Sequence, residues 1–231
     1  MSGMKKSDIQ YFHSGCGARW LSNFAQLDSL QIDGRDWPSV EHWYQATKFH
    51  PDDREAFAVG GRLATLDAIS ENGGIFFAPK VHAKKIKYWG RKSTGPSMVG
   101  IIAKMASKPG RAEKLGLRML PEPLTESTDR ITELTALFKR GLHAKYEQNP
   151  VPRRALLLTG KRVLVEFGKS AGREIKAGRP PPLWTGLWHK ETEKIVGYNL
   201  MGEIMMEVRG EMFPPINDIQ TAGEDVYATL E

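Results

Sequence analysis

The segment 39–49, which has the sequence SVEHWYQATKF, holds the residues with the clearest capacity for chemistry. Pro38 followed by Ser39 is typical of a helix start. At 100° per residue, the segment has one face of functional groups, formed by Glu41, Tyr44, Gln45 and Lys48. The other face carries Val40, Trp43 and Thr47. A carboxylate, an amide and an ammonium in one row can carry out acid–base chemistry or can form the solvent side of a surface helix.

The aromatic residues around this helix favour a dry cleft over a wet surface. They are Trp20, Phe24, Trp37, Trp43, Tyr44 and Phe49. We therefore expect the polar row to face a pocket in which aromatic side chains stack on a substrate.

Several other chemistries are disfavoured by spacing. A phosphate-binding loop ending at Gly168–Lys169–Ser170 would need glycine where Val163 stands. The chain has no Gly-x-Ser-x-Gly elbow and no zinc-deaminase pair of His-x-Glu and Cys-x-x-Cys. Cys16 is the single cysteine and the six histidines are scattered, so we predict no metal and no cofactor.

Charge is distributed unevenly along the 231 residues. The net charge is +6, and residues 214–231 contain four acidic and no basic residues, so the remainder carries +10. Residues 79–112 hold nine basic residues and no acid, which indicates either a nucleic-acid surface or a solvated helix face. The candidate contacts to a nucleic-acid backbone are Lys80, Lys84, Lys85, Lys87, Arg91 and Lys92.

No apolar run approaches the roughly 20 residues that a membrane helix needs, and the first ten residues lack a signal-peptide core. With one cysteine, the sequence is typical of a cytoplasmic protein without membrane contact.

Hydrophobic periodicity predicts a single α+β domain that is mostly helical and has a small sheet or hairpin. Helices are predicted at 40–50, 54–69, 81–91, 97–106, 128–148 and 199–212, and strands at 11–24 and 29–32 with a turn at Asp33–Gly34. The segments 154–159 and 162–167 are predicted to form a buried hairpin, and 168–188 an irregular loop.

Five ordered segments resemble the NADAR family, whose known members are N-glycosidases acting on riboflavin-biosynthesis intermediates or on ADP-ribose conjugates. They are LSNF at 21–24, the segment 39–49, AKYEQN at 144–149, LLLTG with LVE at 156–160 and 164–166, and GYNLMG with MEVR at 197–202 and 206–209. The resemblance implies a compact, mostly helical α+β fold, with a flexible terminus at 1–10, a catalytic domain at 11–213 and an acidic tail at 214–231. It also implies a pocket that includes Glu41.

Hydrolysis of a C1′–N bond passes through an oxocarbenium-like sugar, which needs a carboxylate and, for many bases, a proton donor. With the resemblance, Glu41 becomes the first candidate for the carboxylate. Glu166 is a second carboxylate or a partner of Arg209. Lys48 and Arg209 are candidates for holding an anion, while Asn23, Gln45 and Asn199 are candidates for fixing sugar hydroxyls or a base edge. Phe24, Tyr44, Trp184 and Trp188 complete the predicted binding set.

The sequence departs from the family pattern in the loop after 156–166. The family carries an Asp two or three residues before a Trp-Gly pair, whereas here the stretch reads PPLWTG at 181–186. We predict an N-glycosidase with a nucleic-acid-linked substrate, DNA before RNA: a modified base in DNA, or ADP-ribose on a nucleobase. A glycosidase of free nucleotide-like metabolites, such as riboflavin-pathway ribosyl amines, and a noncatalytic ADP-ribose or nucleic-acid binding module remain as alternatives.

Overall fold

The computed structural model describes residues 5–13, 18–65, 67–76, 97–108, 110–124, 126–179 and 182–214. The helices are α1 (Val40–Ala46), α2 (Asp67–Glu71), α3 (Gly73–Phe76), α4 (Ser97–Ala106), α5 (Arg111–Lys114), α6 (Ile131–Gln148), α7 (Pro150–Leu157), α8 (Lys169–Lys176) and α9 (Leu200–Met212). The strands are β1 (Ile9–Phe12), β2 (Gln31–Ile32), β3 (Arg35–Asp36), β4 (Val163–Glu166), β5 (Leu187–His189) and β6 (Lys194–Val196). The fold is α+β, as the sequence predicts.

In the described ranges the strands form three small two-stranded sheets. β1 and β4 pair in parallel, from Ile9 opposite Val163 to Phe12 opposite Glu166. β2–β3 and β5–β6 are antiparallel hairpins. The predicted turn at Asp33–Gly34 joins β2 and β3, and both residues have positive φ. This backbone matches the twist of a tight hairpin.

The core is organised around α6, which contacts α1, α7 and α9. Apolar residues recur at three- and four-residue steps along the predicted helix at 128–148, and four of them, Leu134, Phe138, Leu142 and Tyr146, are buried at its centre. α9 also packs on β4. Two glycines permit close contacts between elements, Gly202 between α9 and β4 and Gly141 between α6 and α1. A Cβ at Gly202 would lie 2.1 Å from the carbonyl oxygen of Leu164, and one at Gly141 would lie 2.7 Å from the Trp43 ring. This packing fixes β4 and α1 relative to each other.

Several local predictions are wrong. The predicted hairpin at 154–167 is instead the helix α7 followed by β4, whose partner is β1. Pro150 at the first position starts α7, and a short run of leucines is compatible with either a helix or a strand. Residues 168–188 contain α8 and the start of β5 rather than one loop.

At the N-terminal side, the predicted strand at 11–24 ends at Phe12, and Arg19–Leu21 is a 3-10 turn. β1 begins at Ile9, two residues before the predicted start of the domain. The predicted helix at 54–69 is a 3-10 helix at Pro51–Phe57, with α2 beginning only at Asp67. The predicted helix at 81–91 and most of the acidic tail lie outside the described residues. No helix in the described ranges is long and apolar enough to cross a membrane.

Lys145 is an unusual core residue, since its side chain is fully buried on α6. Its Nζ donates a 2.9 Å hydrogen bond to the carbonyl oxygen of Ser22, and burial lowers the pKa of the ammonium to about 7. A lysine in unfolded protein has a pKa of about 10.4, so between these values the unfolded chain binds the extra proton. We expect the free energy of unfolding to rise from pH 8 to pH 10.

The variant Lys145→Met tests this expectation. It removes the titrating group while keeping an unbranched side chain, so the rise in unfolding free energy should flatten. Urea unfolding at pH 8, 9 and 10 measures the slope, with the exposed Lys114→Met as control. An unchanged slope in Lys145→Met would show that Lys145 is charged in the folded protein.

Candidate active site

The helix α1 is short but buried along its whole length, which excludes the solvent-face alternative for its polar row. The Oγ of Ser39 accepts a 3.2 Å hydrogen bond from the backbone N–H of His42 and so caps the first turn. Glu41 is only 5% exposed and Gln45 is fully buried. Because buried charges and amides require partners, this row must be explained by its contacts.

Glu41 opens into a cavity of about 310 Å³. Its lining combines buried acidic and amide groups with aromatic rings and a polar rim. The lining residues are Asn23, Phe24, Glu41, Tyr44, Lys104, Glu126, Phe138, Glu166, Pro182, Trp184, Thr185 and Met201. A concave, largely apolar pocket with a few convergent polar groups is the usual form of a small-molecule or cofactor site.

A chain of hydrogen bonds supports the Glu41 carboxylate from behind. The amide Nε2 of Gln45 donates to Oε1 of Glu41 at 2.9 Å. The Oε1 of Gln45 in turn accepts from Nζ of Lys48 and from Oγ of Ser107, each at 2.9 Å. Two donors at one amide oxygen fix the amide orientation, so its NH2 group must face Glu41.

These contacts affect the protonation of Glu41. Burial raises the pKa of the carboxyl above its ordinary value, while the Lys104 ammonium and the Gln45 hydrogen bond oppose the rise. Burial also lowers the pKa of the Lys48 ammonium, which lies 4.6 Å from the centre of the Tyr44 ring. The donor from Gln45 stabilises the ionised form of Glu41.

Glu166, the last residue of β4, places a second carboxyl in the same cavity. In the described part of the chain no side chain or backbone group donates a hydrogen bond to it. Burial raises its pKa to about 8, and the nearby negative charge of Glu41 adds to the effect. Two interacting carboxyls titrate as a pair, and the one without a donor keeps the proton. These contacts favour the proton on Glu166 and the negative charge on Glu41.

The position of Glu166 is set by Asn199, which has positive φ and precedes α9. The Asn199 side chain accepts from the backbone N–H of Glu166 at 3.1 Å and donates to the carbonyl oxygen of Leu164 at 2.8 Å. The backbone carbonyl of Glu166 accepts from the N–H of Gly186 at 3.1 Å. Strand, helix start and the loop that carries Trp184 are thus tied together at the cavity.

Three aromatic rings form one wall of the cavity. The Tyr44 and Phe138 rings lie 4.6 Å apart, and the Trp184 ring stands edge-on to Phe138 at 4.8 Å. Among the described residues, the buried Tyr44 hydroxyl has no hydrogen-bond partner, and burial raises its pKa. The buried Oδ1 of Asn23 also has none there. Both atoms belong to lining residues of the cavity, and because buried polar atoms are normally paired, they are candidates for contacts to a ligand.

At the rim, Lys104 and Glu126 face each other with 3.6 Å between Nζ and Oε1. Both side chains are partly exposed, so this ion pair adds little to stability. It places opposite charges at the entrance of the cavity.

Six of the eleven predicted catalytic and binding residues line the cavity: Asn23, Phe24, Glu41, Tyr44, Glu166 and Trp184. Gln45 and Lys48 stand behind Glu41, outside the described lining, and in this structure they support the carboxylate through hydrogen bonds. Asn199 is also a support, because its amide is used by β4.

Two further residues of the predicted binding set make other contacts in the structure. Arg209 donates from Nη1 to Oγ1 of Thr159 at 2.7 Å and to the carbonyl oxygen of Arg162 at 2.9 Å, so it stabilises the start of β4 rather than partnering Glu166. Trp188 lies in β5 and its backbone N–H donates to the Tyr11 hydroxyl at 3.0 Å. The six basic residues proposed as backbone contacts, from Lys80 to Lys92, lie outside the described residues.

Six residues of the cavity lining are absent from the site predicted from the sequence. They are Lys104, Glu126, Phe138, Pro182, Thr185 and Met201. Lys104 was visible only as part of the basic segment and Phe138 only as part of an apolar stripe. Glu126 lies in a stretch without regular structure and gives no periodic signal. Among the described residues no group of three or more His, Cys, Asp or Glu side chains could hold a metal ion.

Comparison with known proteins gives little further information. No family model and no curated protein matches the chain. The chain is similar to the NMR structure of the E. coli protein YbiA, at 20% sequence identity over 96% of this chain and 94% of that chain, with a TM-score of 0.47. The functional assignment therefore depends on the cavity itself.

Proposed function

We propose that this protein is an N-glycosidase that hydrolyses the C1′–N bond between a sugar and a base. The observation that carries the proposal is the pair of carboxyls, Glu41 and Glu166, in one aromatic-walled cavity. Burial raises the pKa of both, and among the described residues only Glu41 has a hydrogen-bond donor, Gln45, that opposes the rise. Two carboxyls whose surroundings separate their protonation states are the usual arrangement for an acid and a charge-stabilising or basic partner.

In this proposal each carboxyl has its own role. Glu166 donates its proton to the leaving base as the C1′–N bond breaks, and the bond electrons remain on the base nitrogen. Glu41 stabilises the positive charge that develops at C1′ and the ring oxygen. Water then attacks C1′ and loses a proton to a carboxylate, which restores the acid. Gln45 keeps the anionic Glu41 oxygen in place while Tyr44 and Trp184 contact the base.

The sequence resemblance to NADAR N-glycosidases supports the proposal in the placement of Glu41. The loop in which that family carries an Asp contributes Pro182, Trp184 and Thr185 to this cavity. We propose that Glu166 supplies the second carboxyl. The charge of +10 outside residues 214–231 favours a nucleic-acid-linked substrate, DNA first, over a free metabolite.

The test is mass spectrometry of released bases and sugars from four separate pools: unmodified DNA, DNA with modified bases, ADP-ribosylated nucleic acid and ribosyl amine metabolites. Release by the wild type and not by Glu41→Gln would support an N-glycosidase and identify its substrate class. A folded protein that binds ADP-ribose or DNA and releases nothing from any pool would favour the binding module instead. Added salt should weaken turnover steeply only for a nucleic-acid substrate.

The supporting row behind Glu41 gives a separate prediction. In Gln45→Met the carboxylate loses its donor, so its pKa should rise further and the acidic limb of the pH–rate profile should move to higher pH. Ser107→Ala, which leaves Lys48 on the amide oxygen, should shift the limb less. The pH dependence of kcat measures both variants. A lower kcat with no shift of the acidic limb would mean that Gln45 has a packing role and does not affect the pKa of Glu41.

A further inference from the structure

The cavity presents mainly acceptors and π faces to whatever enters it. Glu41 and Glu166 contribute carboxyls, and Asn23 contributes the unpartnered Oδ1. Asn23 is 5% exposed and its Nδ2 is directed to the Met201 sulfur at 3.1 Å, so the carbonyl oxygen is the free end of the amide. Glu41 and the Asn23 oxygen favour a positive charge or an N–H donor, and Glu166 in its protonated form can give its proton to a basic nitrogen and then attract the cation that forms.

The described cations near the cavity have partners on the protein. Lys104 at the rim lies 3.6 Å from Glu126, and its ammonium only partly offsets the effect of burial on Glu41 and Glu166. Lys48 donates to Gln45 behind Glu41 and does not reach the lining. Arg209 is bound to Thr159 and Arg162. Among the described lining residues, Lys104 is therefore the one cation, against three acidic residues, Glu41, Glu126 and Glu166.

The aromatic wall has the same electrostatic preference. The faces of aromatic rings are negative, and a cation over Trp or Tyr is stabilised more strongly when both are removed from water. Tyr44 and Phe138 are buried and Trp184 is partly buried, so the wall is largely shielded from water. A flat heterocycle carrying positive charge would therefore meet carboxylates at its edge and rings at its face.

We infer that the cavity binds the base of its N-glycoside as a cation, either because the base carries a fixed positive charge or because it accepts the Glu166 proton. The inference rests on the proposed function, since it assigns the substrate class of the same site. It selects bases with a basic ring nitrogen or a quaternary nitrogen, and it excludes bases that lack a basic ring nitrogen, such as uracil.

The protonation step balances in both cases. For a basic heterocycle, the O–H bond of Glu166 breaks and an N–H bond forms on the ring, leaving two carboxylates around one cation. For a base with fixed charge, Glu166 instead releases its proton to solvent on binding. In either case the C1′–N bond electrons neutralise the base as it leaves, so the cation that was bound is lost as a neutral product.

A matched pair of uncleavable ligands tests the inference with the wild-type protein. Carbocyclic ribosylpyridinium and its carbocyclic phenyl counterpart have the same shape and differ by one N⁺ in place of carbon, and neither can form an oxocarbenium ion. We expect the pyridinium ligand to bind at least about tenfold more tightly. Isothermal calorimetry measures both affinities.

Proton release provides the second readout. At pH 7 Glu166 holds its proton, so binding of the pyridinium ligand should release up to one proton, and calorimetry in two buffers of different ionisation enthalpy measures it. At pH 9 the release should vanish. The groups facing the ligand are Glu41, Lys104, Glu126 and Glu166, with Lys48 behind them. Glu166→Gln should abolish the release, whereas the exposed Glu113→Gln should not.

Equal affinity for the two ligands, no binding of the pyridinium ligand at millimolar concentration, or binding without proton release would overturn the inference. These outcomes are separate from the fate of the proposed function. Pyridinium preference in a protein that hydrolyses none of the four pools would support the cation site and refute the glycosidase. Hydrolysis of one of the four pools without a preference for the pyridinium ligand would support the glycosidase and refute the cation site.

Discussion

Glu41→Gln is expected to lower kcat for C1′–N hydrolysis on the order of a thousandfold while the protein remains folded. The substitution keeps the size of the side chain and an oxygen that can accept from Gln45 Nε2. It removes the negative charge that stabilises the oxocarbenium ion, and that charge acts in a buried site where its effect is large. Product release under saturating substrate measures the loss.

The control for this prediction is Glu113→Gln, an identical change at an exposed position on α5. Both variants should bind the uncleavable pyridinium ligand, although Glu41→Gln should do so more weakly because one carboxylate is lost. Full activity in a folded Glu41→Gln variant would contradict the assignment of Glu41 as the stabilising carboxylate.

The sequence was sufficient to predict the parts of the site that follow from local periodicity. The start of α1 at Ser39 and the shared face of Glu41 and Tyr44 could be derived because a helix fixes angular spacing within one element. Burial of the polar row could not be derived, since it depends on α4 and α6 packing over α1. Ser107 illustrates the limit, because it reaches Gln45 from 62 residues away.

The β4 segment shows where pattern reasoning fails. The apolar residues of 156–166 follow neither a helical period nor a strand period, so the local sequence favours a hairpin. The correct pairing of β4 is with β1, more than 150 residues earlier in the chain. That parallel pairing directs Glu166 into the cavity and separates it from Arg209. Long-range pairing is decided by tertiary contacts that a single sequence does not expose.

Glu166→Gln is expected to produce a loss that depends on the leaving base. For a glycoside whose neutral base must be protonated, kcat should fall about 10²- to 10⁴-fold, because the acid is gone. For a ribosylpyridinium glycoside, whose base already carries the charge, the fall should be small. Measuring both substrates on the same preparation separates loss of the acid from loss of the fold. An equal fall for both substrates would mean that Glu166 does not act as the proton donor.

The pH dependence of turnover follows from the proton on Glu166. In the wild type, Glu166 must be protonated to act, so turnover of a neutral-base glycoside should decline as pH rises through about 8. Glu41 must be ionised, so turnover should also decline as pH falls through its pKa, which burial places above the ordinary value for glutamate. With the pyridinium substrate the limb near pH 8 should disappear while the acidic limb remains, since only the Glu41 charge is then required. A limb near pH 8 that persists with the pyridinium substrate would assign that ionisation to another group and leave Glu166 without a catalytic role.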